Sequence, residues 1–485
     1  MQIRKTLTGC VIVIIAFLLL FFHFRGLSIH DGGYILHSAQ NILRGQTIYK
    51  DFDFVYTPGS IFLALLSFKL FGESVLAERI TALIISLLTC FLIYKISTLL
   101  TKKNYLALIP ILTYLFWGPV HINFLSPVML SLSSSLLGLF FLIQAAEKNN
   151  KRYLFYAGLV GGIIFLFKQN FGAMFFLTGI SVILLNKKLR SVDAGTKYSY
   201  GLLIPILIFL LYLIYTKSLN AYLYNVWFYT IQEIIIKKVL NTPFIYSGKL
   251  ILVIAKTIFY TVPVWLSLFT SFLLFKSHRK LLFIPLWITL SYIVSIRPET
   301  DFIHLIPILS LTGILILFFI DSKLFFTKIV GFTSFITLAI LGLYTALYMG
   351  YYRWEKPLAE NTVYEKNSRV NIFVDRRWHT IIGKLNSYLD QNTKKDDYFF
   401  VDMNAPLLYF LTGRKNPTRF DFIVPYTEEK QYQDEMINDL KNKQVKVVLT
   451  ENTYDKDSSL VMQYIRSHYL KRKSIDQFVL WKIRE

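Results

Sequence analysis

The sequence predicts a mainly α, polytopic membrane protein with a small α/β domain at its C-terminal end. Three observations lead there. Of 485 residues, 54% are apolar and only 17% are charged, against about 25% charged in a typical soluble domain. The apolar residues gather into long runs separated by short basic turns. After about Tyr351 the chain turns polar and highly charged.

The first run, about 7–24, follows Arg4 and Lys5 and precedes Arg25-Gly26-Leu27. No small-x-small cleavage pattern follows it, so it reads as an uncleaved first span, not a signal peptide. Further apolar runs lie at about 78–100, 104–118, 122–146, 153–167, 171–186, 199–216, 250–275, 281–296, 303–320 and 328–350. Together they make about eleven transmembrane helices, several shorter than the roughly 20 residues that cross the hydrocarbon.

With the N-terminus inside, the cytoplasmic turns are those near Lys102-Lys103, Lys148-Lys151-Arg152, Lys187-Lys188-Arg190, Lys276-Arg279-Lys280 and Lys323-Lys328. All are basic, as the positive-inside rule requires, and the turn at 117–121 on the other face has no Lys or Arg. An odd number of spans puts the C-terminus outside. This expects a multi-pass protein of the cytoplasmic (inner) membrane, with residues 1–350 as the membrane domain and 351–485 as a soluble extracytoplasmic domain.

Three outer segments are more than turns. Residues 25–77 form a long external loop, in which 34–45 reads as a surface helix and 59–71 as an interfacial helix too short to span. Residues 217–249 are rich in Tyr and Trp, as at a membrane boundary. Residues 297–302 form a charged turn.

In the C-terminal part, helices are expected at 375–390, 431–441 and 458–468, and strands at 398–401, 445–450 and 478–483, an α/β pattern. Gly383 and Gly413 are its only glycines, so it has no glycine-rich phosphate loop.

Composition also excludes classes. Lys+Arg exceed Asp+Glu by 52 − 30 = 22. The basic residues punctuate apolar segments and form no single stripe, which expects anionic membrane lipids as partners and no nucleic acid. The two cysteines, Cys10 and Cys90, sit in apolar runs and read as buried hydrophobes. There is no His-Glu-x-x-His, EF-hand or Gly-x-Ser-x-Gly pattern.

Ionisable groups at the outer membrane face are where chemistry is expected, because unpaired charge in hydrocarbon is costly. In His30-Asp31-Gly32-Gly33-Tyr34, an acid beside two glycines allows close approach by a ligand; an ordinary Asp-Gly turn is the competing reading. Tyr49-Lys50-Asp51-Phe52-Asp53-Phe54-Val55-Tyr56-Thr57-Pro58 offers substrate-binding candidates in Asp51, Asp53 and Tyr56, or acids that merely complement a helix dipole. Lys168-Gln169-Asn170 places a cation at the outer end of a span, for a phosphate or as a snorkelling side chain. Arg297-Pro298-Glu299-Thr300-Asp301-Phe302-Ile303-His304 supplies an Arg suited to bidentate phosphate contact, a second acid in Asp301, and a histidine that either donates to a ligand or packs at the interface.

These motifs carry a resemblance. Asp31 to Tyr34, Ala39 to Gly45, Tyr49 to Phe52 and Tyr56 to Pro58 resemble the first external loop of the membrane glycosyltransferases of GT-C fold. The branch is the bacterial one related to protein O-mannosyltransferases and lipid A aminoarabinose transferase (glycosyltransferase family 39-like). Lys168-Gln169 and Arg297 … His304 … Pro307 are similar to later elements of that branch, so the likeness covers roughly residues 1–350.

The resemblance implies an inverting transfer from a polyprenyl-phosphate sugar to a glycan, lipid or protein acceptor at the outer face of a bacterial cytoplasmic membrane. It makes Asp31 the catalytic acid residue. Arg297, Lys168 and His304 are read as donor-phosphate ligands, and Tyr34, Asp51, Asp53, Tyr56 and Asp301 as substrate-binding candidates. Many relatives carry a second acid after the first, where this chain has Gly32. A single carboxylate is a poor Mg²⁺ or Mn²⁺ site, so no cofactor is assigned and a divalent metal stays open. The competing function is a transporter or flippase for a lipid-linked or polar substrate. Such proteins show paired, broken helices at mid-membrane, a pattern not evident here.

Overall fold

A computed structural model describes residues 2–229, 231, 250–296, 302–348, 355–421, 429–452 and 459–484. Helices form at every apolar run expected above. They are α1 (Gln2–His23), α2 (Asp31–Leu43), α3 (Gly59–Phe71), α4 (Val75–Thr101), α5 (Leu108–Trp117), α6 (Pro127–Lys148), α7 (Arg152–Phe167), α8 (Gln169–Leu185), α9 (Val192–Tyr215), α10 (Leu250–Ser277), α11 (Phe283–Ser295), α12 (Phe302–Leu309), α13 (Gly313–Ile320) and α14 (Phe325–Tyr348).

Local chemistry sets the ends. The Ser74 hydroxyl accepts from the Ala77 amide at the start of α4, and Ser191 does the same for Ala194 at α9. Pro127 opens α6, where its missing N–H costs nothing. Glycines let helices touch: a Cβ on Gly59 would meet the Leu166 carbonyl oxygen at 2.6 Å, so the start of α3 lies against the end of α7. Gly158 and Gly162 face Tyr198 and Leu202 of α9 in the same way, the small-residue packing usual between membrane helices.

Helix length alone picks out fewer spans than the eleven expected. Among the described residues four helices are long and apolar enough to cross a membrane, α4, α6, α9 and α14. The pair α12 and α13, bent by 45°, makes a fifth. The stretch 303–320 is therefore not one straight helix. Pro307 cannot donate in its ladder, and Gly313 lets the second half press on Pro110, whose Cα would lie 2.5 Å from an added Cβ. Among the remaining apolar helices, α7 has 16 residues and α8 has 17, with a break at Lys168. Large apolar side chains point outward along these helices, among them Phe91, Ile208, Phe272 and Ile340.

The C-terminal part is α/β. Its four-stranded sheet runs β3 (Phe399–Asp402), β4 (Val447–Glu451), β6 (Phe478–Ile483), β5 (Tyr469–Ile475), in that spatial order. β3 and β4 are parallel; β6 is antiparallel to β4 and β5. The strand at 469–475 was not expected, because its burial pattern is exposed at every inner position and its sequence is basic. Helices α15 (Arg376–Asn392), α16 (Leu407–Thr412), α17 (Lys430–Asn442) and α18 (Leu460–His468) pack around the sheet. The Asp375 carboxylate caps α15 through the Trp378 amide. A two-stranded ribbon, β1 (Val363–Tyr364) with β2 (Phe373–Val374), lies ahead of the sheet.

The helix expected on the surface at 34–45 is instead buried: α2 is covered from Gly32 to Asn41. The C-terminal unit does the covering. A Cβ on Gly33 would fall 2.5 Å from Leu407 Cβ, and His37 stacks on Tyr409 with ring centroids 4.9 Å apart. The His37 Nδ1 lies 2.8 Å from the Asp421 carboxylate, both side chains fully enclosed.

Candidate active site

The connector from α1 to α2 is held from three directions. The Gly26 amide donates to the Phe373 carbonyl (2.8 Å), and its own carbonyl accepts from Arg79 (3.1 Å). Gly26 has φ +77°, a conformation that suits only glycine. Asn123 Nδ2 donates to the carbonyls of Phe22 and Arg25, each at 2.7 Å. Nearer α2, the Ile29 amide donates to the Glu355 carboxyl (2.9 Å), and the Leu407 amide to the Ile29 carbonyl (3.4 Å). The Gly32 amide then donates to Ser28 Oγ (3.1 Å). Asp31, the first residue of α2, thus emerges from backbone that has little freedom.

Asp31 lines a cleft of about 520 Å³, its open mouth included, together with Tyr34, Tyr56, Ser126, Lys168 and His304. Four helices begin at this cleft: α2 at Asp31, α6 at Pro127, α8 just after Lys168, and α12 at Phe302. Helix N-termini carry partial positive charge and free N–H groups, so their convergence favours an anion.

Lys168 sits in the break between α7 and α8, its ammonium 5.6 Å from the Tyr56 ring and 5.7 Å from the Phe171 ring. Burial pushes that ammonium down to about 8, with the Asp31 carboxylate pulling it back up. Burial and the nearby Asp31 also make the Tyr56 phenol harder to ionise. His30 is held below its ordinary value by burial, opposed by Asp31 and by a bond to the Asn404 backbone.

Five of the residues singled out from the sequence therefore meet at one cleft: Asp31, Tyr34, Tyr56, Lys168 and His304. Tyr34 is largely a strut. Its hydroxyl donates to the Asp53 carbonyl (3.0 Å) and accepts from the Val55 amide (3.2 Å). Tyr56 is set by its neighbours: its carbonyl accepts from Tyr49 Oη (2.8 Å), and Thr57 Oγ1 donates to the Phe165 carbonyl (2.9 Å).

Two acids of the same loop lie elsewhere. Asp51 is exposed and accepts from the Thr47 amide at 2.7 Å, closing a turn. Asp53 is buried against the C-terminal unit, receiving Arg419 Nη1 on both oxygens (2.8 and 2.9 Å) and Asn225 Nδ2 (3.2 Å). Burial raises its carboxyl to about 6 although Arg419 pulls it down. Arg297 and Asp301 lie outside the described residues. In the run 402–417, Tyr409 Oη accepts from the Val401 amide and Arg414 bonds Asp390. Among the described residues no three or more His, Cys, Asp or Glu come together as a metal site.

Sequence reasoning missed three residues. Glu78 and Arg79, buried at the start of α4, pair at 2.7 Å. Glu78 accepts from the Leu125 amide just ahead of α6, while Arg79 reaches Gly26, so the pair ties two cleft-forming connections together. An adjacent Glu-Arg opening an apolar run was the available signal. Glu355 gave none; it stands in a short polar stretch with no pattern.

The fold is that of the GT-C membrane glycosyltransferases. Residues 56–215 match the family described as dolichyl-phosphate-mannose-protein mannosyltransferase. Among solved structures, ArnT from Cupriavidus metallidurans bound to undecaprenyl phosphate superposes with a TM-score of 0.62 at 12% identity, over 98% of each chain. Its apo state gives 0.60 at 13% identity, again over 98% of each. The archaeal oligosaccharyltransferase AglB from Archaeoglobus fulgidus, in complex with an inhibitory peptide and a dolichol-phosphate, matches at 0.49 and 11% identity, over 100% of this chain and 75% of that one. No curated protein matches the chain.

Proposed function

We propose that the chain is an inverting glycosyltransferase that moves a sugar from a polyprenyl-phosphate donor to an acceptor hydroxyl at the outer face of the cytoplasmic membrane. The observation that carries this is one cleft bordered by Asp31, Lys168, His304 and four helix N-termini. A carboxylate and a buried ammonium share a site whose backbone favours an anion. The GT-C fold, and a structural neighbour holding undecaprenyl phosphate, support a lipid-phosphate donor.

The reaction follows from those groups. Asp31 takes the proton of the acceptor hydroxyl as general base. The oxygen attacks the anomeric carbon from the face opposite the phosphate, and the carbon–oxygen bond to phosphate breaks with its electrons going to phosphate. Lys168 and the helix N-termini stabilise the negative charge that gathers there. Polyprenyl phosphate leaves ionised and requires no general acid. Arg297 is read as a donor-phosphate ligand and Asp301 as a substrate contact, and Asp51 and Asp53 support the loop.

On this reading the membrane domain spans residues 1–350 in about eleven helices, some shorter than a full bilayer crossing. The N-terminus lies inside and the unit 351–485 outside, over the cleft. The acceptor is a glycan, a lipid or a protein. The test is a transfer assay with purified protein and a panel of labelled polyprenyl-phosphate sugars, wild type against Asp31→Asn. Loss of a general base lowers turnover by about 10²–10⁴-fold, with the protein still inserted and folded. Full activity of Asp31→Asn removes the base from Asp31. Movement of labelled lipid across vesicles without free polyprenyl phosphate as product replaces transfer by flipping.

A further inference from the structure

We propose that Glu355 is a positioning residue for Asp31, a clamp supplied by the C-terminal unit that completes the active site; this rests on the glycosyltransferase reading above. Glu355 reaches across 326 positions of sequence to accept the Ile29 amide at 2.9 Å. Ser28, the residue before Ile29, lies beside that carboxyl, and its Oγ accepts from the Gly32 amide. Glu355 thus holds the backbone two residues before Asp31, and Ser28 holds the residue after it. Movement of Asp31 relative to Lys168 therefore has to break a bond to Glu355 or Ser28.

The electrical setting decides which form of Glu355 does this. The carboxyl borders a second cavity of about 380 Å³, mouth included, lined also by His121, Lys356, Asp375 and Trp378. Its charged and titratable neighbours are Asp31 at the head of α2, Arg79 on α4, and the His121, Lys356 and Asp375 of that cavity. Burial raises Glu355 to about 8, Asp31 adding to the rise, with the Ile29 amide, Arg79 and Ser28 opposing. Burial thus favours the neutral form of Glu355. A neutral Glu355 adds no second negative charge beside Asp31 and Lys168. A second anion there would compete for the ammonium.

The neutral acid and a glutamine present the same carbonyl oxygen to the Ile29 amide. Glu355→Gln therefore keeps the clamp, Glu355→Ala removes it, and Glu355→Asp withdraws it by one methylene. The experiment reads each full-length variant twice. Amide deuterium exchange over residues 26–36 measures the clamp without reference to activity. Donor-dependent transfer kinetics measure its consequence.

We expect faster exchange in Glu355→Ala and Glu355→Asp, with kcat lowered about tenfold or more and donor KM little changed, as for a misplaced base. Glu355→Gln should match wild type in both. Wild-type exchange in both the Ala and Asp variants overturns the clamp. Unchanged kcat with faster exchange overturns its role toward Asp31. A Gln variant as impaired as Ala overturns the neutral acid. If wild type transfers no sugar at all, the glycosyltransferase reading falls while the exchange data still decide whether Glu355 holds the turn.

Discussion

Gly33→Ala is the most informative single change to the scaffold. Gly33 lies one helical residue beyond Gly32 on α2 and faces α16. An added Cβ would stand 2.5 Å from Leu407 Cβ and 2.7 Å from Leu407 Cα. Ordinary contact begins at 3.4 Å, so the two helices must part by 3.4 − 2.5, or about 1 Å. Leu407 has little room to yield: it is 1% exposed, and its amide is committed to the Ile29 carbonyl. The shift falls on α2, and Asp31 is at its head.

Overpacking of this kind costs about 1–3 kcal/mol of stability. A misplacement of about 1 Å at a reacting group costs on the order of 10²-fold in rate. Gly33→Ala should therefore insert and fold with a modestly lowered melting temperature and lose about two orders of magnitude in kcat. The assay is donor-dependent transfer by purified protein, with thermal unfolding alongside. Gly383→Ala is the control, since an added Cβ there has nothing within 4 Å; it sits in helix α15 and should be neutral or slightly stabilising. Full kcat in Gly33→Ala with unchanged unfolding would refute the argument that the close α2–α16 contact sets the position of Asp31.

Two further predictions are independent of that contact. Burial lowers Lys168 from 10.5 to about 8, so its positive charge is complete well below pH 8 and is lost as pH rises through it; donor binding should weaken over that interval. Lys168→Arg, charged at all working pH, should move the alkaline limb upward, and an unmoved limb would show that another group sets it. A reporter fused after Glu485 should be found on the outer face of the membrane; a cytoplasmic signal would overturn the odd number of spans.

Much of the scaffold was legible in the sequence because the relevant information is local. An apolar run makes a helix wherever the chain later packs, and all eleven runs became helices, with one broken at residues 310–312. Asp31, Tyr34, Tyr56, Lys168 and His304 stood out as polar groups next to such runs, and the cleft collects them. Their meeting was not readable from spacing, since they come from α2, the loop before α3, the α7–α8 break and α12.

Whether a helix is exposed was less legible. The pattern of α2 suggested a surface helix, with His37, Ser38, Gln40 and Asn41 among its residues. Those polar groups are buried because the C-terminal unit supplies Asp421 and Leu407 to that face. Asp53 looked like a substrate contact for the same reason: its partner, Arg419, is 366 residues away.

The sequence by itself determined the apolar, mainly helical class of chain, the helical segments and the residue types available for chemistry. Only the tertiary structure decided which acids border the cleft. A carboxyl's role depends on what surrounds it: Asp31 borders an open cleft, Asp53 is paired with an arginine, and Glu355 is enclosed and clasps backbone. Charge interactions and desolvation act through space over a few ångströms. The neighbours that set them are brought in from distant parts of the chain, where no local pattern records them.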